Sequence, residues 1–353
     1  MAYELNDKIK GLTPYDPVDG KYRVRLDANE AFFSPSAEMM QKIHEAVDSV
    51  LFNRYPDPYA TKLCELFAAY YGIDKDNVTA GNGSDELISV IFGSFMQKGD
   101  KAVTLAPDFS MYGFYANLYE CENVIIQKKD YMINADEVID TVQKEAASLL
   151  IFSNPCNPTS ILLDECDVRK IIENVDALVV LDEAYMDFTD GSLLNSVNDY
   201  DNLIVLRTCS KAVGMASVRL GFAVANKRIT NALRSVKSPY NVNSVSQAIG
   251  EAVFSDPDYV KSCISRICMS KELLLEELKK VEEKYPDKFT VIASQANFVY
   301  NKSAYSKEIF EYLKTKGIIV RCFGDHLRIS AGRNHENIET AALIDEFLGG
   351  VNL

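Results

Sequence analysis

The chain has 353 residues, of which 47% are hydrophobic and 25% are charged, a composition typical of globular proteins with one large or two moderate domains. Its 37 basic and 51 acidic residues give a formal net charge of −14, which disfavours nucleic acid and anionic membrane surfaces as partners. The longest apolar runs are far shorter than the roughly 20 residues of a membrane-spanning helix. An anionic ligand would therefore need a local cluster of basic groups.

The eight cysteines are scattered without regular spacing, and the first residues show no signal-peptide pattern. These features predict reduced thiols in a cytoplasmic protein. With only three histidines and no close cysteine pair, the sequence offers little for a transition-metal site or a histidine-based triad. We therefore expect no metal, and a metal-free enzyme with another nucleophile remains open.

Between about residues 75 and 226, short β-rich runs alternate with helical patterns, which predicts a parallel sheet built from βαβ units. The runs are continuously hydrophobic, as is typical of strands covered by helices on both faces. Seven strands are predicted, over residues 77–81, 101–105, 123–127, 148–152, 177–182, 202–207 and 220–225. Residues 84–95, with apolar positions at helical spacing, are predicted to form one covering helix.

After residue 239 the pattern changes to a long amphipathic stretch, three short strands and a closing helix, which predicts a smaller α+β domain. The turn-rich N-terminal segment has no predicted sheet of its own, and we expect it to pack against that domain. The predicted stretch covers 244–285, and the predicted strands cover 296–301, 317–321 and 326–332. We therefore expect a large domain over residues 46–239 and a small domain formed by residues 1–45 and 240–353.

Chemically distinctive segments follow four of the predicted strands. Ligands of an open parallel sheet bind beyond the carboxyl ends of its strands, so these segments would share one rim. They are GNGSDE (81–86), SNPCNPT (153–159), DEAY (182–185) and TCSK (208–211). Each segment alone has an ordinary structural explanation as a helix cap, a proline turn, a packed side chain or a solvated lysine. Their combination on one rim favours a functional site.

A lysine near a carboxylate on this rim suits pyridoxal phosphate, whose aldehyde bonds to amines and whose ring accepts electrons from a substrate carbon. Lys211 would supply the amine. Asp182, if buried, would pair with the protonated ring nitrogen.

Other polar residues of the same rim suit the remaining groups of that cofactor. Asn157 and Tyr185 can form hydrogen bonds with the phenolate oxygen of the ring. The phosphate would bind backbone amides at the start of the predicted helix at residue 84, with Ser210 and Arg219 adding charge-assisted hydrogen bonds.

The chain resembles the fold-type I pyridoxal-phosphate aminotransferases and, among them, the histidinol-phosphate aminotransferases. Single matching motifs are weak signals, but ten in the family's order along the whole chain are highly specific. They are LTPYDP, VRLDANE, NRYPDP, GNGSDE, PDFSMY, NPCNPT, LDEAY, TCSKAVGMASVRLG, SPYNVNSVSQA and LRISAG. The resemblance implies an α/β fold with a seven-stranded, mostly parallel sheet flanked by helices, and a smaller α+β domain.

The resemblance also implies roles for individual residues. Lys211 would bond to the cofactor aldehyde and then move the substrate's α-proton, with Asp182 and Tyr185 completing the catalytic set. Tyr112 would stack on the ring, and Tyr55 would reach the phosphate bound by a second copy in a homodimer. The implied cofactor-binding residues are Tyr55, Gly83, Ser84, Asp85, Tyr112, Asn157, Asp182, Tyr185, Ser210, Lys211 and Arg219.

For the anionic end of a small-molecule amino donor, the resemblance implies Tyr15, Asn29, Arg321 and Arg328. Two arginines on adjacent short strands would form a fork-shaped anion site, which an acidic chain otherwise lacks. The alternative explanation for Arg321 is a surface salt bridge.

Two departures from the family's usual sequence lie near the predicted site. The chain has ANEAFFSPSA where the family has ANENPYGPSP, and Ser160 where the family has the glycine of NPTG. Ala31, Phe32 and Phe33 alter a loop near the substrate entrance. The aromatic pair there either favours an aromatic donor or packs against the small domain. Both departures leave the predicted cofactor residues intact.

The function implied by the resemblance is transfer of the amino group of histidinol phosphate to a 2-oxo acid, 2-oxoglutarate, in histidine biosynthesis. An aromatic amino acid aminotransferase and a threonine-phosphate decarboxylase-like enzyme are alternatives. A non-catalytic regulatory protein that binds the cofactor is an alternative of another class, but it would need no electron sink. A dehydrogenase is disfavoured because no GxGxxG follows a predicted strand.

Overall fold

The computed structural model of the chain describes residues 3–12 and 20–351. Its strands are β1 (Val24–Arg25), β2 (Val78–Gly81), β3 (Lys101–Ala106), β4 (Glu122–Gln127), β5 (Leu149–Ser153), β6 (Leu178–Asp182), β7 (Leu203–Thr208), β8 (Gly221–Ala225), β9 (Thr290–Ala293), β10 (Phe298–Lys302), β11 (Ile318–Ile319), β12 (Arg321–Phe323) and β13 (His326–Ser330). Its helices are α1 (Asp7–Lys10), α2 (Ala37–Asp48), α3 (Thr61–Tyr71), α4 (Ser84–Phe95), α5 (Met111–Leu118), α6 (Ala135–Glu145), α7 (Glu165–Glu173), α8 (Lys227–Val236), α9 (Ser244–Phe254), α10 (Pro257–Lys284), α11 (Ser306–Thr315) and α12 (Asn334–Gly350). Of the described helices, none has the length and apolar character needed to cross a membrane.

The largest sheet has the strand order β2-β8-β7-β6-β5-β3-β4. Strand β8 is antiparallel to both of its neighbours, and the other pairs are parallel. The seven predicted strands all form, which confirms the predicted fold class. From the neighbouring strands β3 and β5 the chain continues outward in opposite directions, to β4 and to β6. The crevice between them is the switch point where ligands bind in such sheets.

Helices cover both faces of this sheet. Along β7 the side chains alternate, so that Leu203 and Val205 belong to the core on one face and Ile204 and Leu206 to the core on the other. The first core includes the aromatic stack of Phe67 on Phe222, with ring centroids 3.9 Å apart. Burial on both faces explains why the strand sequences are continuously hydrophobic rather than alternating.

A second sheet, with the antiparallel order β12-β13-β10-β9, lies in the C-terminal part of the chain. The predicted strands 296–301 and 326–332 form β10 and β13 of this sheet, and β9 was not predicted. The predicted strand 317–321 is divided between β11, which lies in another sheet, and the first residue of β12. The N-terminal part contributes β1, which pairs with β11 in a two-stranded parallel sheet, although no strand was predicted there. Val24 and Leu26 pack in the same core as α10 and α12. The turn-rich segment 11–20 lies mostly outside the described residues, so its packing against the small domain stays a prediction.

The amphipathic stretch predicted over 244–285 is two helices, α9 and α10. Asp256 caps α10 by accepting a hydrogen bond from the amide of Tyr259, and Pro257 occupies the first turn. Val253 and Phe254 of α9 pack in the core of the seven-stranded sheet. The domain division at residue 239 stays a prediction, and α9 lies beyond it while packing on the larger sheet.

Candidate active site

The rim formed by the carboxyl ends of β2, β6 and β7 also receives the start of β8, because β8 runs in the opposite direction. Gly221 is the register partner of both Gly81 and Thr208. A Cβ added to Gly221 would lie 2.2 Å from the backbone nitrogen of Ser84, so no other residue fits there. This contact brings the segment after β7 against the first turn of α4.

The first turn of α4 and the Arg219 guanidinium together form a candidate anion site. The N-cap residue is Gly83, at φ +88°, and no side chain caps this helix. A Cβ on Gly83 would lie 2.6 Å from Nη2 of Arg219. Arg219 itself adopts the left-handed conformation at φ +56°. Backbone amides at a helix N-terminus beside a guanidinium bind phosphate well.

Two further predicted residues lie at this site. Ser210 is buried, and the hydroxyl of Thr208 donates a hydrogen bond of 3.1 Å to its Oγ. The Asp85 carboxylate accepts a hydrogen bond from the Tyr115 hydroxyl, and burial raises the pKa of this carboxyl. Since a carboxylate repels a phosphate, the group that Asp85 can offer an anion is its backbone amide.

Asp182 ends β6 and is 5% exposed. Its Oδ2 accepts a hydrogen bond of 2.8 Å from the Tyr112 hydroxyl, and its Oδ1 accepts one of 3.0 Å from the amide of Ala184. Burial raises the pKa of Asp182 to about 6. A desolvated carboxylate of this kind gains from pairing with a cation, so its position suits a protonated ring nitrogen.

Lys211 follows β7 and is partly buried. Its Nζ donates a hydrogen bond of 2.9 Å to the carbonyl of Ala28. Burial, followed by the positive charge of Arg328, lowers the pKa of Lys211 to about 8. The lowered pKa increases the neutral fraction of the amine near neutral pH, and the neutral amine is the nucleophile.

Tyr185 is held by Asn29, which was predicted as a donor-binding residue. The Asn29 Nδ2 donates a hydrogen bond of 2.9 Å to the Tyr185 hydroxyl. Its backbone amide donates to Oγ of Ser330, and that hydroxyl donates back to Oδ1 of Asn29. Asn29 therefore links Tyr185, the tyrosine predicted to contact the cofactor ring, to the end of β13.

Asn157 and Arg328 are in direct contact. Arg328 donates from Nη1 to Oδ1 of Asn157 at 2.5 Å, and from Nη2 to the carbonyl of Asp27 at 2.6 Å. Arg321 on β12 is the cross-strand register partner of Arg328 on β13, so both side chains lie on the same face of the sheet. The predicted arginine pair is therefore adjacent, and it borders the predicted cofactor residue Asn157.

Two residues of the predicted site are not among those that the structure brings together on this rim. Tyr15 lies outside the described residues. Tyr55 is 81% exposed and stacks on Tyr240, with ring centroids 4.6 Å apart and planes inclined by 15°. The Tyr55 ring is thus ordered against its own chain while remaining accessible to another molecule.

The aromatic pair near the predicted entrance is packed on both sides. Phe32 and Phe33 meet edge to face at 5.1 Å, and the guanidinium of Arg266 on α10 lies 3.8 Å above the Phe33 ring. Both phenylalanines contact the core that contains Tyr185 and Phe298. Their position favours the packing explanation of this sequence departure.

Comparison with known proteins agrees with this geometry. Residues 22–343 match the family model Aminotransferase class I and II. The chain belongs to this aminotransferase family.

Among relatives of this aminotransferase, the histidinol-phosphate aminotransferase of Clostridium novyi (strain NT) is 44% identical over 348 residues, which cover 96% of both chains. That of Pyrococcus furiosus is 35% identical and covers 97% of both chains. The crystal structure of histidinol-phosphate aminotransferase from Sinorhizobium meliloti in complex with pyridoxal-5'-phosphate superposes with a TM-score of 0.89 at 22% identity, covering 100% of this chain and 99% of the other.

A buried network whose charged members are not among the predicted site residues supports the Asn157 loop of this aminotransferase. Lys128 and Asp108 form an ion pair of 3.1 Å between side chains that are 1% and 2% exposed. Ser153 donates its hydroxyl hydrogen to Asp108 and accepts a hydrogen bond of 3.1 Å from the Asn157 amide. Asp108 follows β3 and Lys128 follows β4. Inspection of the residues after every predicted strand, and not only after four of them, would therefore have identified this pair.

Proposed function

We propose that this aminotransferase uses pyridoxal phosphate to transfer the amino group of histidinol phosphate to 2-oxoglutarate. The observation that carries the proposal is the convergence of Lys211, Asp182 and the α4 N-terminus on one rim. The choice of donor is supported by curated relatives, 37–44% identical over most of their length, that are histidinol-phosphate aminotransferases.

The residues present fit the three ends of this cofactor. The uncapped first turn of α4 and the Arg219 guanidinium match a phosphate, the buried carboxyl of Asp182 matches a ring cation, and the amine of Lys211 matches an aldehyde. When bound, pyridoxal phosphate supplies an aldehyde that bonds to amines and a ring that accepts electrons from the donor's α-carbon. The proposed phosphate contacts are the amides of Gly83, Ser84 and Asp85 and the side chains of Ser210 and Arg219.

Lys211 is proposed as the group that moves the proton during the reaction. Because its pKa is lowered to about 8, Nζ can accept the proton of the donor's α-carbon and give it up again at neutral pH. Its contact with the Ala28 carbonyl fixes the amine at the end of β7.

Asp182 is proposed to hold a proton on the ring nitrogen. The Tyr112 hydroxyl and the Ala184 amide orient its two oxygens, so the charge is positioned before the reaction starts. Tyr185, oriented by Asn29, and Asn157, oriented by Arg328, are proposed to contact the ring oxygen.

Arg321 and Arg328 are proposed to bind the anionic end of the donor, with Tyr15 nearby. Their positive charges lie on one face of the smaller sheet in a chain of net charge −14. A phosphate group is the doubly charged anion that an arginine pair recognises in a fork-shaped arrangement.

The test is a panel of amino donors with 2-oxoglutarate as acceptor, measured as glutamate formed by the cofactor-loaded protein. The panel contains histidinol phosphate, aromatic amino acids and phosphothreonine. We expect the highest kcat/KM for histidinol phosphate. Preference for an aromatic amino acid, release of carbon dioxide from phosphothreonine, or cofactor binding without turnover would each replace the proposal by one of the three alternatives.

A further inference from the structure

Ser160 occupies a backbone conformation that suits glycine, and the family's usual residue there is glycine. Its φ is +61°, and its side chain is fully buried. A non-glycine residue in the left-handed region persists only where other contacts compensate for the strain. In Ser160, the side-chain hydroxyl makes such contacts.

The Ser160 hydroxyl joins the Asn157 loop to the smaller sheet. Its Oγ accepts hydrogen bonds of 2.7 Å from the Gln295 amide and 2.8 Å from the Ala296 amide. The Ser160 carbonyl accepts a third, longer bond from Gln295. A glycine could offer only the carbonyl, so the two short bonds depend on the serine side chain.

Each of the two segments that the Ser160 hydroxyl joins contains or contacts residues of the proposed site. Residue 160 is three positions beyond Asn157, and the Ala296 amide stands two positions before β10. Asn297 between them donates from Nδ2 to the carbonyl of Asn29, which holds Tyr185. Strand β10 pairs with β13, where Tyr300 is the register partner of Arg328. Two connections therefore fix the position of Arg328 relative to Asn157. One is the pair of Ser160 hydrogen bonds to the segment before β10, and the other is the contact of Asn297 with Asn29.

We propose that Ser160 is a positioning residue, which fixes the arginine-bearing sheet against the Asn157 loop and so determines the affinity for the amino donor. The inference rests on the proposed function, because it takes Arg328 as the contact to the donor's anionic end. Ser160 touches neither the donor nor the cofactor in this role. Its loss should therefore affect the KM for the donor and leave kcat nearly unchanged.

The experiment compares Ser160→Gly and Ser160→Ala with the parent enzyme, each loaded with pyridoxal phosphate. Glycine removes both the hydroxyl and the strain, whereas alanine removes the hydroxyl and keeps the Cβ. We expect both variants to raise the KM for histidinol phosphate about threefold to tenfold, the equivalent of one or two ordinary hydrogen bonds, with kcat within about twofold. Hydrogen exchange of the amides at residues 295 and 296 should become faster in both.

Ser306→Ala is the matched control, since it removes another buried hydroxyl of the C-terminal part, one that donates to the Ser303 carbonyl. It should leave both kinetic constants unchanged. An unchanged KM in the two Ser160 variants, a fall in kcat alone, or an equal rise of KM in Ser306→Ala would overturn the inference. Absence of turnover in the parent enzyme would instead count against the proposed function, while the exchange measurement would still test the contact.

Discussion

At the scale of single residues, Lys211 is the side chain on which the proposed chemistry depends. Lys211→Ala should abolish transamination and leave the fold intact, because no other amine stands at the end of β7 in the motif TCSK. Borohydride reduction of the cofactor-loaded parent protein should attach the cofactor to the peptide containing residue 211, as read by mass spectrometry. Lys98→Ala, a change at an exposed lysine, is the control. Near-native activity of Lys211→Ala would refute the assignment.

Asp182 has a pH signature in the cofactor-free protein. The pKa of Asp182 in the folded protein, about 6, lies above the ordinary value of 3.8. The contribution of Asp182 to the free energy of unfolding is therefore fully present below about pH 4, and it is lost as the pH rises through about 6. Asp182→Asn should therefore stabilise the apoprotein at pH 7.5 by up to about 3 kcal/mol, and much less at pH 4.5. Urea unfolding at both pH values measures the difference.

The same substitution should have the opposite effect on catalysis. With pyridoxal phosphate bound, Asp182→Asn should lose most of kcat, because the charge that holds the ring proton is removed. A variant with unchanged turnover would contradict the role of Asp182. A stability difference independent of pH would contradict its desolvation.

At the scale of elements, the uncapped start of α4 is the feature that suits a phosphate. Gly83→Ala would place a methyl group where the Arg219 guanidinium lies, at a φ of +88°. We expect pyridoxal phosphate to bind about tenfold or more weakly, the equivalent of one charge-assisted hydrogen bond, as measured by fluorescence titration.

Gly99→Ala is the matched control for that substitution. Gly99 has nearly the same φ, +87°, but a Cβ there would meet no atom within 4 Å. The Gly99→Ala variant has the same kind of backbone strain but displaces no guanidinium. We therefore expect it to bind pyridoxal phosphate with the same affinity as the parent protein. Equal loss of affinity in both variants would show that strain alone is responsible.

The elements themselves were predictable where burial leaves a strong pattern. Apart from the edge strand β4, the strands of the larger sheet are buried along nearly their whole length, and the hydrophobic runs of all seven mark them to within about two residues. Strand β1 has only two residues. Strand β9 has four residues, like β2, but none of them is fully buried, so it lacks the strong hydrophobic pattern that marks β2. The break between α9 and α10 was missed because the amphipathic pattern continues across Asp256 and Pro257, although this pair is itself a helix-start signal.

The candidate site was predictable where its residues directly follow strands, as Asp182 and Lys211 do. Partners contributed from distant parts of the chain were not. Ser330, which holds Asn29, lies in the motif LRISAG, but the sequence does not show that its hydroxyl meets a residue 301 positions away. Ser160 was noticed as a departure from a motif, but its hydrogen bonds to the segment before β10 depend on tertiary packing.

At the scale of the whole molecule, we propose the homodimer that the family resemblance implies, in which each active site contains Tyr55 from the other copy. Tyr55 and the neighbouring residues Leu51, Phe52 and Tyr59 all have exposed apolar side chains, which suits a subunit interface. Mixing Lys211→Ala chains with Tyr55→Phe chains should restore activity above that of either variant alone, because each mixed dimer then contains one complete site.

The mixed dimers are made by refolding equal amounts of the two variants together and are compared with each variant refolded alone. A monomeric protein in sedimentation, or mixed chains no more active than the average of the separate variants, would rule out sharing of Tyr55. The Tyr55→Phe change keeps the ring stacked on Tyr240 and removes only the hydroxyl.

The contacts of Asn29 with Ser330, and of Arg328 with the Asp27 carbonyl, join the beginning of the chain to its last sheet. Synthesis on the ribosome must therefore pass β13 before the pocket can close. A nascent chain or a prematurely terminated product carries Lys211 and Asp182 without the strand that completes their surroundings. We therefore expect a product truncated before β13 to lack the contacts that hold Asn29, and with them the support of Tyr185.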